Sequence, residues 1–317
     1  MGLWYESTFE KCSCASKSGW KQVFSELLGM FIFVFISGNV VANVNCYNND
    51  NLENSINNTF SYDASGIFYI NFGISFGYML GLYISIENAG FLNPGLTLVF
   101  RFMGKIETKD MLLLLAAQFC GAFLGSFLIW GLYFDQLNDF EDDNTGLLFC
   151  SVVNGGNYGI ASLDVLLKSS LFAVGVLAII DNQKKEKKDE PFKTVKPPKS
   201  FEPFLIGLLL LVVGMAFSYH APFYFNPFQD FAGRLVALIA GCEQMCTFDN
   251  PNWWPVIPLF VPVVGSFIGA LVYIIFIENN HTKDQRDPEQ QTASASQGNE
   301  DEDISAIERN EYDIRKK

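Results

Sequence analysis

Two tripeptides, Asn93-Pro94-Gly95 and Asn226-Pro227-Phe228, constrain the fold of this chain more than any other feature. Asn is a preferred helix N-cap and Pro is favoured at the first helical position, so each tripeptide predicts the start of a helix. The two lie at corresponding places in two similar apolar halves of the chain. One Asn-Pro alone is an ordinary turn or cap, but two in matching positions predict half-helices that meet inside a membrane around a pore.

The composition is that of a membrane protein. Hydrophobic residues make up 50% of the 317 residues and charged residues only 17%, which is too apolar for an ordinary soluble domain. Six stretches are long enough to cross roughly 30 Å of hydrocarbon: 23–42, 66–86, 111–134, 163–180, 204–219 and 256–277. We therefore predict an all-α membrane protein with six transmembrane helices and two re-entrant half-helices.

The spans divide into two repeats, 21–135 and 163–278, each with three spans and a re-entrant segment after the second. An odd number of spans gives the repeats opposite orientations. Together they form a predicted channel domain, 21–278, between an N-terminal segment, 1–20, and a polar tail, 279–317, that we expect to be disordered.

Small residues recur at matching places in the third and sixth spans. Gly121 and Gly125 in the third correspond to Gly265 and Gly269 in the sixth. Small residues four apart allow helix backbones to approach closely, so these positions predict packing seams between spans.

The basic residues predict the orientation. Apart from Lys168 and Arg234, every Lys and Arg lies on one side of a six-span chain, and the opposite loops, 43–63, 135–160 and 241–254, contain none. Cytoplasmic loops carry the excess of Lys and Arg, so we expect both termini in the cytoplasm, with the plasma membrane as the default location. The linker 181–200 carries a cluster of lysines, Lys184, Lys185, Lys187 and Lys188. The topology explains this cluster, although it also has the composition of a patch that binds membrane lipid.

Several segments resemble the aquaporin family over residues 20–278, and in particular its aquaglyceroporin-like branch. The matching segments are 24–31, 79–83, 117–122 and 225–235. The resemblance implies an inverted-repeat, aquaporin-like bundle, usually a homotetramer, that conducts water, glycerol or similar small neutral solutes passively. The position of Asp230 is the one that usually separates glycerol-type from water-only members.

The motifs depart from the family pattern at the pore. Gly95 and Phe228 stand where both motifs usually end in Ala, and Phe228 is expected to narrow the pore. Gln229 replaces the Arg that follows the second motif, and the other two walls of the selectivity filter correspond to Ile74 and Phe223. Losing that Arg removes a fixed positive charge, which predicts weaker exclusion of cations and protons.

Two further departures concern the inner vestibule and the support of the second half-helix. Phe91 stands where the family has His before the first motif. The Glu of the fourth span corresponds to Val165, with Asp164 beside it.

The side chains of Asn93 and Asn226 offer N–H donors to a passing hydroxyl group, between two positive helix ends. Gln229 has two interpretations, a neutral filter residue or one member of a capping box with Asn226. Asp230 is expected to support its half-helix through the helix dipole, with solute contact as the alternative. Glu26, inside an apolar span, is expected to accept backbone N–H groups of a re-entrant loop, and its alternative is a proton-coupling carboxylate.

The sequence gives little sign of an enzyme, a metal site or a cofactor, and no sign of nucleic-acid binding. The two His residues, His220 and His281, belong to no arrangement with ligand or catalytic spacing. Four cysteines fall on the outer side and could pair or remain thiols: Cys46, Cys150, Cys242 and Cys246. Cys12 and Cys14 are candidates for palmitoylation.

The function that the sequence favours is a passive channel for water and small neutral solutes. A closed or poorly conducting protein with a structural or partner-recruiting role is the first alternative. A carboxylate-coupled transporter is the second, and it would require uptake to depend on a proton gradient.

Overall fold

The computed structural model describes most of the membrane portion of the chain. The described residues are 18–52, 64–87, 89–135, 149–151, 153, 156–184, 198–221, 226–241 and 254–278. Several features named above lie outside them, among them residues 1–17 of the N-terminal segment, the filter candidate Phe223, the tail 279–317 and the cysteines Cys12, Cys14, Cys242 and Cys246.

Every regular element among the described residues is helical. Eight α-helices follow one another along the chain: α1 Ser18–Leu52, α2 Ala64–Ser85, α3 Pro94–Phe102, α4 Thr108–Leu132, α5 Tyr158–Lys184, α6 Glu202–Ala216, α7 Pro227–Ile239 and α8 Ile257–Tyr273. Short 3₁₀ turns at Lys199–Phe201 and Trp254–Val256 precede α6 and α8, and a π-helical turn, Ile274–Glu278, follows α8. Helix α1 begins at Ser18, so it includes the last residues of the predicted N-terminal segment.

The predicted all-helical membrane fold is confirmed. Five segments are long and apolar enough to cross a membrane: Trp20–Cys46, Ala64–Ser85, Thr108–Leu132, Tyr158–Asp181 and Trp254–Ile277. The predicted span at 204–219 is shorter, because α6 has only 15 residues and so a length of about 22 Å. After α6 ends at Ala216, the N–H of Phe217 caps the last carbonyls, and the Ser218 hydroxyl donates to the Gly214 carbonyl (2.6 Å) and accepts from Asn71 of α2 (2.8 Å).

Both half-helices begin at the Asn-Pro sequences. Helix α3 has nine residues and α7 has 13, with Asn93 and Asn226 as their extended N-cap residues and Pro at the first helical position of each. Both N-caps are buried, and the two half-helices contact each other. Helix α3 also packs on α4 of its own repeat. Helix α7, which belongs to the second repeat, packs on α4 as well.

The two repeats use glycines in equivalent ways. In the first repeat α4 packs against α1, where a Cβ on Gly125 would lie 3.1 Å from the Phe31 carbonyl oxygen. In the second repeat α8 approaches α5, where a Cβ on Gly265 would lie 2.6 Å from the Leu166 carbonyl oxygen. At both crossings the absence of a side chain lets one backbone contact the next.

Contacts within the chain divide it into two compact units, one ending at Ala270 and one beginning at Leu271. All of the pore residues discussed below belong to the first unit.

Candidate pore

The amino ends of the two half-helices meet directly. The Nδ2 atom of Asn226 donates to the carbonyl oxygen of Leu92, 2.6 Å away, immediately before the first cap. The Oδ1 atom of Asn93 accepts from Gly95 N (2.8 Å), and that of Asn226 accepts from Phe228 N (3.2 Å). Because capping occupies the amide oxygens, the NH₂ group of Asn93 and the second N–H of Asn226 remain as donors where the positive helix ends converge.

A narrow cavity lies at this meeting point. Its volume is about 10 Å³, close to the lower limit for one water molecule. The lining combines three amide side chains with apolar and aromatic ones: Asn93, Asn226 and Gln229, with Phe33, Ile74, Tyr78, Phe172 and Leu210. Among the described residues, the lining therefore presents hydrogen-bonding groups and no charged side chain, which suits a small neutral molecule.

Gln229 and Ile74, two of the three filter candidates, both line this cavity. The Nε2 atom of Gln229 is buried and has no hydrogen-bond partner among the described residues. A buried amide N–H without a partner is costly, so this group is a donor available to a molecule in the cavity. The backbone N of Gln229 is 3.5 Å from Asn226 Oδ1, the long limit of a capping hydrogen bond.

Phe228 does not narrow this cavity as expected, since it is absent from the lining and is directed instead toward α4. Its ring centroid lies 5.9 Å from that of Phe119, in an edge-to-face arrangement. An aromatic ring gains more from burial against another ring than from a wet lumen, which explains this direction. Gly95, at the same position of the first motif, packs closely against α8. A Cβ atom built on Gly95 would lie only 2.5 Å from the Ser266 hydroxyl oxygen of that helix.

The loop before α3 is held by Glu26 of α1, which is completely buried. Its carboxylate accepts from Gly90 N (3.1 Å), Phe91 N (3.3 Å) and Leu92 N (2.6 Å). The Nε2 atom of Gln118 donates to the same carboxylate at 2.6 Å. All four partners are donors, which matches the acceptor-only chemistry of a carboxylate.

The second half-helix has a different anchor. Asp230 and Arg234 form a buried ion pair within α7, with 2.6 Å between Asp230 Oδ2 and Arg234 Nε. The Asp230 carboxylate also accepts from Ser151 N (2.6 Å), and Arg234 donates to the Ser151 carbonyl (2.8 Å). The indole N–H of Trp254 donates to that same carbonyl at 2.8 Å. Asp230 therefore contacts the loop before α5 and is not part of the cavity lining.

A second buried pair lies on α5, beside the chain that leads into α7. Lys168 is 1% exposed, and its Nζ atom is 3.8 Å from Asp164 Oδ2. The ammonium group donates to the Ala221 carbonyl. Val165, at the position of the expected Glu, is completely buried beside Ala221 in a small apolar cluster. The charged pair of this helix therefore contacts the chain at Ala221 through the lysine.

On the other side of the cavity, toward the loop before α3, lies a larger vestibule of about 290 Å³. Tyr78 contributes to the lining of both spaces. Its hydroxyl donates to the carbonyl of Phe91 at 2.8 Å. Phe91 also lines the vestibule, so the position of the expected His is apolar here.

Sequence reasoning missed the aromatic part of the lining and the Asp164–Lys168 pair. Phe33, Tyr78 and Phe172 are ordinary aromatic residues of apolar spans, and nothing in their spacing distinguishes them from lipid-facing ones. Lys168 did carry a signal, because a lone lysine in an apolar span must find a partner. Of the outer cysteines, Cys150 is disulfide-bonded.

Comparison with known proteins decides the family. The model of the family described as "Major intrinsic protein" matches residues 13–273. The chain belongs to the major intrinsic protein family. It is 27% identical over 301 residues to aquaporin-9 of Mus musculus, covering 90% of this chain and 92% of that protein. It is 28% identical over 284 residues to aquaporin-10 of Milnesium tardigradum, covering 82% of this chain and 63% of that protein.

Among solved structures, the chain is similar to the aquaglyceroporin from Plasmodium falciparum, with a TM-score of 0.67 and 21% identity. The match covers 82% of this chain and 97% of that one, and it supports the shared fold. Together these findings make the chain an integral membrane protein and a channel for water and small solutes rather than an enzyme.

Proposed function

We propose that this channel passes water and glycerol-sized neutral solutes down their gradients and excludes cations and protons less strictly than its relatives. The observation that carries the proposal is the buried, unpartnered Nε2 atom of Gln229 in the wall of the cavity. This neutral amide stands where the family resemblance places an Arg. It offers a hydrogen bond to a solute hydroxyl without the repulsion that a guanidinium exerts on cations.

The paired Asn side chains supply the rest of the mechanism. Capping occupies the Oδ1 atoms of Asn93 and Asn226, and one N–H of Asn226 bonds the Leu92 carbonyl, so we assign the remaining amide N–H groups to a solute at the meeting point of the two positive helix ends. A water or hydroxyl oxygen is thereby oriented toward the middle of the pore, which reverses the water dipoles there and interrupts proton relay. Ile74 and Gln229 line the same cavity, and we assign both, with the sequence candidate Phe223, to the selectivity filter.

Glu26 and Asp230 serve this mechanism as supports. The Glu26 carboxylate fixes three consecutive N–H groups immediately before α3, and Asp230 fixes the Ser151 backbone against α7. Because the four donors around Glu26 use its acceptor capacity, support explains this carboxylate better than proton coupling does.

The assembly and the location are proposed from the family resemblance and from the charges of the loops. We propose a homotetramer in the plasma membrane, surrounded by membrane lipid, with both termini in the cytoplasm. The distribution of Lys and Arg along the loops supports this orientation.

A closed or poorly conducting form is the second candidate. The cavity of about 10 Å³ at the paired Asn side chains favours it, since glycerol needs several times the space of one water molecule. In that case the protein would act through structure or partner recruitment, and flux would require the pore to widen.

The Gln229→Arg substitution tests the proposal. In reconstituted vesicles we expect Gln229→Arg to lower both glycerol uptake and proton leak, each measured against water flux in the same preparation. Gln22→Arg, near the start of α1 and away from the cavity, is the matched control. Unchanged uptake and leak in Gln229→Arg would refute the role of Gln229. Absence of any flux in wild-type vesicles that contain the protein would favour the closed form.

A further inference from the structure

One aromatic side chain separates the two internal spaces of the pore. Tyr78 of α2 lines the cavity of about 10 Å³ at the paired Asn side chains and also the vestibule of about 290 Å³. Its side chain is 2% exposed. A solute that moves between the vestibule and the Asn pair must therefore pass this ring.

Two further aromatic rings hold Tyr78 in place. The ring centroid of Phe33 on α1 lies 5.0 Å from that of Tyr78, at an interplanar angle of 87°. The ring of Phe172 on α5 lies 5.8 Å away at 73°. Both are edge-to-face arrangements, which aromatic pairs prefer, and both partners also line the small cavity. The three rings thus form a collar on the vestibule side of the Asn pair.

The hydroxyl group of Tyr78 fixes the ring from the other end. It donates to the carbonyl of Phe91, 2.8 Å away, whose own N–H donates to Glu26. The same peptide segment leads directly into the cap of α3. The position of the ring is therefore tied to the loop that places Asn93, and not only to packing against other rings.

The Tyr78 ring can move out of the collar because the vestibule beside it has free volume. Beyond Tyr78 the vestibule offers room for a displaced ring. Its wall is apolar at Val176, Ile180 and Ile206, and Glu202 at the start of α6 also lines it. A ring that loses its bond to the Phe91 carbonyl can move into this space without burying a new charged group.

We infer that Tyr78 is a specificity-determining residue of this channel: its ring, held by the Phe91 carbonyl and by Phe33 and Phe172, sets the largest solute that passes between the vestibule and the paired Asn side chains. This inference rests on the proposed channel function. It places a second size filter on the vestibule side, in addition to the filter at Ile74 and Gln229.

Two substitutions separate the ring from its hydroxyl group. Tyr78→Phe removes only the hydrogen bond to Phe91, and we expect about a fivefold rise in glycerol permeability, as the loss of one ordinary hydrogen bond predicts. Tyr78→Ala joins the two spaces, and we expect roughly a tenfold or larger rise for glycerol together with the passage of four- and five-carbon polyols. The ratio of polyol to water permeability is the readout, because a merely damaged protein would not raise it.

The experiment uses the full chain in phospholipid vesicles, with stopped-flow light scattering in gradients of glycerol, erythritol, xylitol and urea. Tyr83→Phe and Tyr83→Ala are the matched controls, since Tyr83 lies on the same helix but is 45% exposed on the outer surface. Size-exclusion chromatography before reconstitution identifies variants that fail to fold, and Tyr78→Phe keeps the test valid if Tyr78→Ala is lost.

Each outcome decides between the proposals. A higher ratio of polyol to water permeability in the Tyr78 variants, with an unchanged ratio in the Tyr83 variants, supports the inference. Flux in Tyr78→Ala vesicles but not in wild-type vesicles also supports it and identifies Tyr78 as the closure of the pore. Wild-type flux that both Tyr78 variants leave unchanged refutes the inference and leaves the channel function intact. No flux in any of these proteins refutes both.

Discussion

Replacing Glu26 with Gln tests how strongly the first half-helix depends on one buried carboxylate. The two oxygen atoms of Glu26 divide the donors evenly: Oε1 accepts from Leu92 N and Gln118 Nε2, and Oε2 accepts from Gly90 N and Phe91 N. A Gln side chain has one oxygen atom and one NH₂ group, so in either orientation two donors face another donor.

The expected cost follows from this count. A hydrogen bond to a charged group contributes about 1.5–3 kcal/mol, so the loss of two costs about 3–6 kcal/mol. For a chain of this size that corresponds to a melting temperature lower by on the order of 10 °C. The orientation that keeps the shorter bonds, to Leu92 and Gln118 at 2.6 Å each, frees the loop at Gly90 and Phe91. We therefore expect reduced flux as well as reduced stability.

The assay combines thermal unfolding in detergent, followed by Trp fluorescence, with vesicle swelling. Glu107→Gln is the matched control, because Glu107 is exposed at the N-cap of α4 and makes no side-chain capping bond. If Glu26→Gln melted and conducted as Glu107→Gln does, the assignment of Glu26 as the support of α3 would be wrong.

Two other predictions concern close contacts of the half-helices and the second buried pair. Gly95→Ala places a methyl group 2.5 Å from the Ser266 hydroxyl, so it should destabilise the protein by about 1–3 kcal/mol, and adding Ser266→Gly should restore its melting temperature. Failure of that rescue would show that the cost arises elsewhere. Lys168→Met leaves Asp164 buried without its cation and should cost about 3–5 kcal/mol, whereas Lys168→Met with Asp164→Asn should recover much of this in the same melting assay. Equal melting temperatures for the single and double variants would contradict the pairing.

The local parts of the fold could be predicted from the sequence because short-range chemistry determines them. Asn followed by Pro specifies a capped helix start in any surroundings, and α3 and α7 begin at those residues. Long apolar runs specify spans in the same local way, and five of the six are long enough to cross the membrane. The predicted fifth span, 204–219, runs three residues past the end of α6 at Ala216.

The direction of individual side chains could not be predicted in the same way. Phe228 belongs to a pore motif, yet its ring packs on Phe119, a residue 109 positions earlier that only the tertiary fold brings near. Tyr78, by contrast, does line the pore. Its hydroxyl bonds the Phe91 carbonyl, which belongs to a loop whose path depends on Glu26, a residue far away in the sequence. Hydropathy records that both rings are apolar and not which neighbour each one meets.

The most direct test of the central claim, that solutes pass between the paired Asn side chains of α3 and α7, is the glycerol permeability of vesicles containing the wild-type protein, measured over a range of temperatures. We predict faster swelling than in protein-free vesicles and a shallower temperature dependence, as expected for passage through a preformed path. Swelling at the rate of protein-free vesicles, with the same steep temperature dependence and with the protein confirmed in the membrane, would contradict it.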